Sequence, residues 1–183
     1  SVLGQITMRL RTHLFIPDPR KGWNRRAIAK GLEIVERHGI DWVITTSPPH
    51  STQLIGRALK ESTGVRWVAD FRDPWTDVFY YGDLLHSKWS AQRDDAYERS
   101  VMETADRLVV VHDQYRLRLE EKYAESAPSK LLYLPNGFDA DDFTGQPADP
   151  EFTGFDLVYT GIMAAGYEPE VVIEGIRRFR QDT

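Results

Sequence analysis

Four short stretches of this chain carry residues whose types and spacing could do chemistry. Thr45-Thr46-Ser47-Pro48-Pro49-His50-Ser51 offers hydroxyls and an imidazole. Asp70-Phe71-Arg72-Asp73-Pro74-Trp75 sets three charges within four residues, beside an indole. His112-Asp113 and Asn136-Gly137-Phe138-Asp139 complete the set. An arginine guanidinium can donate to a sugar hydroxyl or a phosphate. Three charges just past an apolar run are costly unless they are paired or wet. Plainer readings stay open beside these. His50, Ser51 and Thr52 also suit a helix cap, and a helix start also offers N–H groups to an anion. Asp70, Arg72 and Asp73 also suit a local ion pair that holds a loop. His112-Asp113 reads as a capping turn and Asn136-Gly137 as a turn. The loop from Trp75 through Phe79, Tyr80 and Tyr81 to Trp89 suits sugar rings, lipid tails or packing over a sheet edge.

The elements around these stretches decide whether they meet. Leu3, Ile6, Leu10 and Leu14 recur at helical spacing, so residues 2–14 read as an amphipathic helix, stopped by Pro17 and Pro19. A second helix is expected over 23–38, with Gly39 as its stop. Residues 41–46 then read as a strand and 51–61 as a helix ending near Gly64. The alternation continues with a strand at 66–71, a long aromatic loop, and a helix at 88–105. A strand at 107–111, a helix at 114–123 and a strand at 130–134 follow. After a Pro- and Gly-bearing stretch come a strand at 156–161 and a helix at 169–180. Strands alternating with helices predict an α/β fold, a Rossmann-like parallel sheet with helices on both faces. Ligands of such sheets bind beyond the carboxyl ends of the strands. All four polar stretches follow strands, so they are expected to converge on one rim, with Arg72 and Asp73 in reach of His50 or His112.

Composition narrows the classes. The 183 residues are 41% hydrophobic and 28% charged, which supports a packed core and argues against disorder. No apolar run is long enough to cross a membrane. No basic stretch leads into an apolar run and a small-residue cleavage site, so no signal peptide is expected. The chain has no Cys, which removes disulfides, thiolate zinc sites and Cys nucleophiles and is compatible with the cytoplasm. Both G-x-G-x-x-G and the Walker loop are absent, which counts against an ordinary NAD enzyme and a P-loop NTPase. No His/Asp/Glu cluster has zinc spacing, so no metal and no cofactor are expected.

Charge is uneven. Residues 1–38 carry eight Lys or Arg against three Asp or Glu, a net of +5, and the remainder carries a net of −10. The basic part suits an anionic lipid surface, a phosphorylated ligand or an acidic partner, or is simply a solvated helix surface. Nucleic acid is not expected as a partner, because no stacking platform interleaves the basic residues.

With Ser47-Pro48-Pro49-His50, Asp70-Phe71-Arg72-Asp73-Pro74-Trp75 and Pro135-Asn136-Gly137-Phe138-Asp139 in this order, the chain resembles glycosyltransferase family 4, from about Phe15 to Phe179. The resemblance implies the GT-B architecture, two facing Rossmann-like domains that transfer a sugar from a nucleotide-diphosphate sugar to an acceptor with retention. Residues 1–143 would be part of the N-terminal acceptor domain, 144–154 a linker, and 155–183 the first β–α unit of a truncated C-terminal donor domain. Family members often carry His-Asp where this chain has Arg72-Asp73, so Arg72 takes the place of a residue that faces the transferred sugar, with Asp73 its neighbour. Arg72 and Asp73 are thus the expected catalytic pair. Ser47, His50, Ser51, Asp70, Trp75, His112, Asn136 and Gly161 are the expected substrate-binding residues. The expected partners are a nucleotide-sugar donor and a sugar or lipid-linked acceptor, with peripheral contact at the inner face of a membrane. The family's glycine-rich opening loop and its later acidic and basic donor-site residues have no counterpart here, so the chain alone is expected to be inactive. An unpaired edge at strand 41–46 is expected to drive homo-oligomerisation through residues 1–46. The alternative is a non-catalytic α/β module that binds a sugar, a phosphate or a protein partner.

Overall fold

The computed structural model describes residues 2–145, 157–162 and 168–180. The chain divides into two units, Ser1–Phe138 and Asp139–Thr183.

The first unit opens with α1 (Val2–Leu14), a short 3-10 turn (Pro19–Trp23) and α2 (Asn24–His38). There follow β1 (Trp42–Ser47), α3 (Ser51–Thr63), β2 (Arg66–Phe71), α4 (Lys88–Thr104), β3 (Arg107–Val110), α5 (Asp113–Lys122) and β4 (Leu131–Tyr133). Gly39 and Gly64 close α2 and α3 in the left-handed region, at φ 60 and φ 74, where other residues would be strained. Ser87 caps α4, its hydroxyl oxygen accepting from the Ser90 N–H at 3.1 Å. Of the apolar face expected on α1, the side chains of Leu3, Ile6 and Leu10 lie outside the described residues, and Leu14 is exposed.

All four strands pair in parallel, in the order β1-β2-β3-β4. The register runs Ser47 to Phe71 to Val110 to Tyr133, so the four carboxyl ends are level and their loops leave on one rim. Trp67, Ala69, Phe71, Leu108 and Val110 point to one face and are fully buried there, under Met102 of α4 and Leu119 of α5. Each large side chain so buried contributes about 1.5–3 kcal/mol. On the same side Ile28, Leu32 and Val35 of α2 pack on Ile55 and Leu59 of α3.

The parallel α/β sheet is as the sequence predicts. The crossover helices cover the Trp67 face, while on the opposite face Ile44 is 68% and Leu132 50% exposed. The physical reason is the strand order. When successive parallel strands are laid down in one direction, right-handed crossovers place every connecting helix on the same side. A second helical cover is not among the described residues. β1 is an edge strand of the described sheet.

In the second unit a short 3-10 turn (Ala140–Phe143) is capped by Asp139, whose carboxylate accepts from the Asp141 N–H at 3.0 Å. α6 spans Pro169–Phe179, with proline in its first turn. Of the strand expected at 156–161, Asp156 lies outside the described residues, and the rest is not assigned as strand. Residues 157–162 carry no strand pairing, and Leu157, Val158 and Tyr159 are exposed. A strand needs a ladder, and no described segment supplies one. Most of the expected linker, 146–154, lies outside the described residues. Among the described residues no helix is long and apolar enough to cross a membrane.

Candidate functional site

Arg72 is the first residue beyond β2. Its Nε donates to the Asp70 carboxylate at 3.2 Å, and its terminal NH1 donates to the Asn136 side-chain oxygen. The two bonds bring the ends of β2 and β4 together on the rim. Asp70 can hold a cation here because it is itself buried at the end of the strand, with its side chain only 11% exposed. Arg72 stays half exposed. A guanidinium has five N–H donors, and these bonds occupy two, so the rest remain available to oxygens of a ligand. Asp73 is exposed next to it, close enough to His50 to act on its titration.

Other expected residues serve elsewhere. Ser47 is fully buried, and its hydroxyl donates to the Asp70 carbonyl at 3.3 Å. Ser51 is also fully buried, and both its N–H and its hydroxyl donate to the Asp18 carboxylate, at 2.7 and 2.9 Å. The start of α3 is therefore capped by Asp18 from another segment, and its own Ser51 is not open to an anion. Trp75 is buried, stacks on His50 at 4.9 Å, and donates its indole N–H to Asp94 at 2.8 Å. That fixes it as a wall, not a free platform. His112 is exposed at the head of α5 and makes no side-chain cap, while Asp113 pairs with Arg116 at 2.7 Å. Gly161 belongs to the second unit, at φ 144. The structure thus joins Asp70, Arg72 and Asn136 directly and brings Asp73 near His50. His112 stands on the same rim with no bond to them.

Sequence reasoning missed four residues that build this rim. Asp18 caps α3. Gln53, fully buried, donates to the Ser47 hydroxyl at 2.9 Å and the Asp70 carbonyl at 2.8 Å, tying β1, α3 and β2 together. Asp94 and Glu98 lie one turn apart on the buried face of α4. Asp94 accepts from Trp75 and, at 2.9 Å, from the Tyr81 hydroxyl. Glu98 accepts from the Thr76 hydroxyl at 2.6 Å, Lys122 at 2.7 Å and the Tyr123 hydroxyl at 2.8 Å. Together they hold the loop 74–87 against α4 and α5. The signal was present. Ser90, Asp94, Glu98, Val101 and Met102 form one stripe at helical spacing, with the polar members continuing the apolar ones. Among the described residues no group of three His, Asp or Glu could hold a metal ion.

A family model described as Glycosyl transferase 4-like domain matches residues 6–137, well over half of the chain. The chain belongs to the glycosyl transferase 4-like domain family. A comparison with curated proteins finds no match. The matched span contains the whole parallel sheet and the Asp70–Arg72–Asn136 rim.

Two groups of this glycosyl transferase 4-like domain are displaced to values between about 4 and 6. Burial lowers the His50 imidazole to about 4, against the raising pull of Asp18, Asp73 and the Pro74 backbone. Burial raises Asp94 to about 6, helped by Glu98 and Asp18 and opposed by the hydrogen bonds from Trp75 and Tyr81. The consequences for stability have opposite signs. His50 is neutral in the native state while the unfolded state takes up a proton below 6.5, so its contribution rises with pH from about 4 to 6.5. Native Asp94 holds its proton where the unfolded carboxyl has lost it, so its contribution falls as pH rises from about 4 to 6. Each is worth on the order of 3 kcal/mol, so the two nearly cancel over that window. Relative to wild type, His50→Gln should make stability fall as pH rises from 4 to 6. Asp94→Asn should make it rise. Urea denaturation across this range reads both slopes, and two variants that parallel the wild type would reject the assignment.

Proposed function

We propose that this domain is the acceptor side of an enzyme that transfers a sugar from a nucleotide-diphosphate sugar to a sugar or lipid-linked acceptor, with retention of configuration. The observation that carries the reading is the Arg72 guanidinium, braced by Asp70 and Asn136 on the rim of a glycosyl transferase 4-like domain and keeping donors to spare. Charge develops on the leaving diphosphate during transfer, and preorganised donors aimed at it are where electrostatic catalysis gains most. In this reading Arg72 faces the transferred group and Asp73, beside it, orients the acceptor. The donor phosphate itself assists removal of the acceptor proton on the front face. Asp70 and Asn136 position Arg72, while Ser47, Ser51 and Trp75 hold the rim in shape.

The nucleotide would bind a second domain, so transfer is to be sought with protein carrying both. Incubation with uridine, guanosine and thymidine diphosphate sugars, followed by NMR of the product's anomeric proton, is expected to show the donor's configuration retained. An inverted product would overturn the mechanism, and turnover by residues 1–183 alone would overturn the division of labour.

Two further features support peripheral roles. Arg20, Lys21, Arg25 and Arg26 flank an exposed Trp23, a grouping suited to the anionic cytoplasmic surface of a membrane. The edge position of β1, with Ile44 exposed, favours self-association. Light scattering of the chain is expected to give a mass above 21.1 kDa, and a clean monomer mass at micromolar concentration would count against it.

A further inference from the structure

Gln53 sits in the first turn of α3 and is fully buried, as are Ser47 and Trp67 nearby. Water cannot serve an amide in such a place, so the protein must supply its partners. The Gln53 side-chain oxygen accepts from the Thr45 hydroxyl. Its nitrogen donates to the Ser47 hydroxyl at 2.9 Å and to the Asp70 backbone carbonyl at 2.8 Å. Both amide hydrogens are thereby used.

The amide has one workable orientation. The Trp67 indole N–H donates to the Thr45 hydroxyl oxygen at 2.7 Å. An indole nitrogen only donates, so the Thr45 oxygen accepts there and its own proton goes on to Gln53. Turning the Gln53 amide over would face its oxygen to the Asp70 carbonyl oxygen and leave the Thr45 proton without an acceptor. The indole itself cannot retreat far. α3 lies so close over it that a Cβ at Gly56 would overlap the Trp67 ring nitrogen, which is why glycine stands there. The direction of every bond from Trp67 through Thr45 to Gln53 is therefore set by packing.

At its other end this chain of bonds reaches Arg72. The Asp70 carbonyl belongs to the peptide that joins Asp70 to Phe71, and it also accepts from the Ser47 hydroxyl at 3.3 Å. The Arg72 backbone N–H donates to the Ser47 carbonyl at 3.0 Å. The Arg72 guanidinium in turn rests on the Asp70 carboxylate. Rotation of that one peptide would carry both the Asp70 carboxylate and the Arg72 backbone with it. We infer that Gln53 is a positioning residue for sugar transfer, which locks the peptide after Asp70 and so aims the Arg72 guanidinium. The inference rests on the reading that Arg72 faces the transferred group, and deepens it. A misplacement of about 1 Å at a reacting group can cost about 100-fold in rate, so a fully buried amide can govern a reaction it never touches.

The test has one arm without substrate and one with it. Gln53→Met keeps the volume and removes both donor bonds. Solvent exchange of the Arg72 Nε–H, followed by nitrogen-edited NMR, is expected to quicken about tenfold, the worth of one hydrogen bond. Gln53→Glu, protonated in its buried site, keeps one of the two bonds, so a smaller change is expected, and it carries the test where Gln53→Met does not fold. Leu59→Ala is the control. Leu59 is buried in the same helix, where α3 meets α2, so its loss weakens the fold without releasing the Asp70 peptide. Its Arg72 exchange should match the wild type. In protein that carries both domains, Gln53→Met should lower kcat about tenfold with acceptor KM unchanged, and should add nothing in an Arg72→Ala background. Arg72 exchange unchanged in Gln53→Met would overturn the inference. So would equal quickening in Leu59→Ala, or losses of kcat that simply multiply in the double variant. Absence of turnover in the wild type would instead sink the transferase reading, and the exchange arm alone would then decide whether Gln53 aims Arg72.

Discussion

Arg72→Ala is expected to lower the turnover of sugar transfer by about 100-fold, with a small change in acceptor KM. The side chain is half exposed, so losing its bond to the largely buried Asp70 carboxylate costs the fold about 1 kcal/mol. A large loss of kcat with little loss of stability separates a role in the reaction from a structural one. Arg72→Lys should rescue only part of the rate, because an ammonium cannot reproduce the planar fork that meets Asp70 and Asn136 together. Asn136→Ala leaves the charge but frees one arm of the guanidinium, and a smaller loss is expected. Wild-type kinetics in Arg72→Ala would return Arg72 to bracing the strand ends.

Glu98→Ala is expected to cost the fold about 3–5 kcal/mol, because it leaves the Lys122 ammonium without its main partner in a half-buried position. Glu98 is fully buried and accepts from Thr76, Lys122 and Tyr123, which belong to the aromatic loop, the end of α5 and the residue after it. Removing it unties three segments at once. Glu98→Gln keeps the shape and one acceptor oxygen, so a smaller loss is expected. Guanidinium denaturation reads both. A Glu98→Ala protein within about 1 kcal/mol of wild type would show that Asp77 and Asp95, which also approach Lys122, replace the lost charge.

The two residues differ in how far they could be read from sequence. Arg72 stood out because it lies one position past an apolar strand, among carboxylates, and burial of such a group needs a reason. Its partners did not stand out. Asn136 is 64 positions away, and the sequence around it reads equally well as a turn. Ser51 looked like a cap because it heads a helix, yet the capping carboxylate comes from Asp18, 33 positions earlier. Trp75 looked like a platform, and only its bond to Asp94 and its stack on His50 make it a wall. Asp94 and Glu98 were readable as a polar continuation of a buried stripe, but what they bind was not.

The sequence by itself determined the order of helices and strands, their ends to within a residue or two at most places, and the parallel sheet that follows from the alternation. These rest on local physics: side-chain period, proline without its N–H, and glycine in the left-handed region. It also determined that the polar stretches follow strands, and parallel pairing then carries them to one rim. Tertiary structure alone decided which of those polar groups face one another. Hydrogen bonds and stacks form across dozens of residues, and their partners depend on register and on side-chain direction, which no local pattern encodes. It also decided that His50 and Asp94 titrate away from their ordinary values, since burial is a property of the packed chain. And among the described residues it leaves the segment at 157–162 without a ladder, which is what a strand needs.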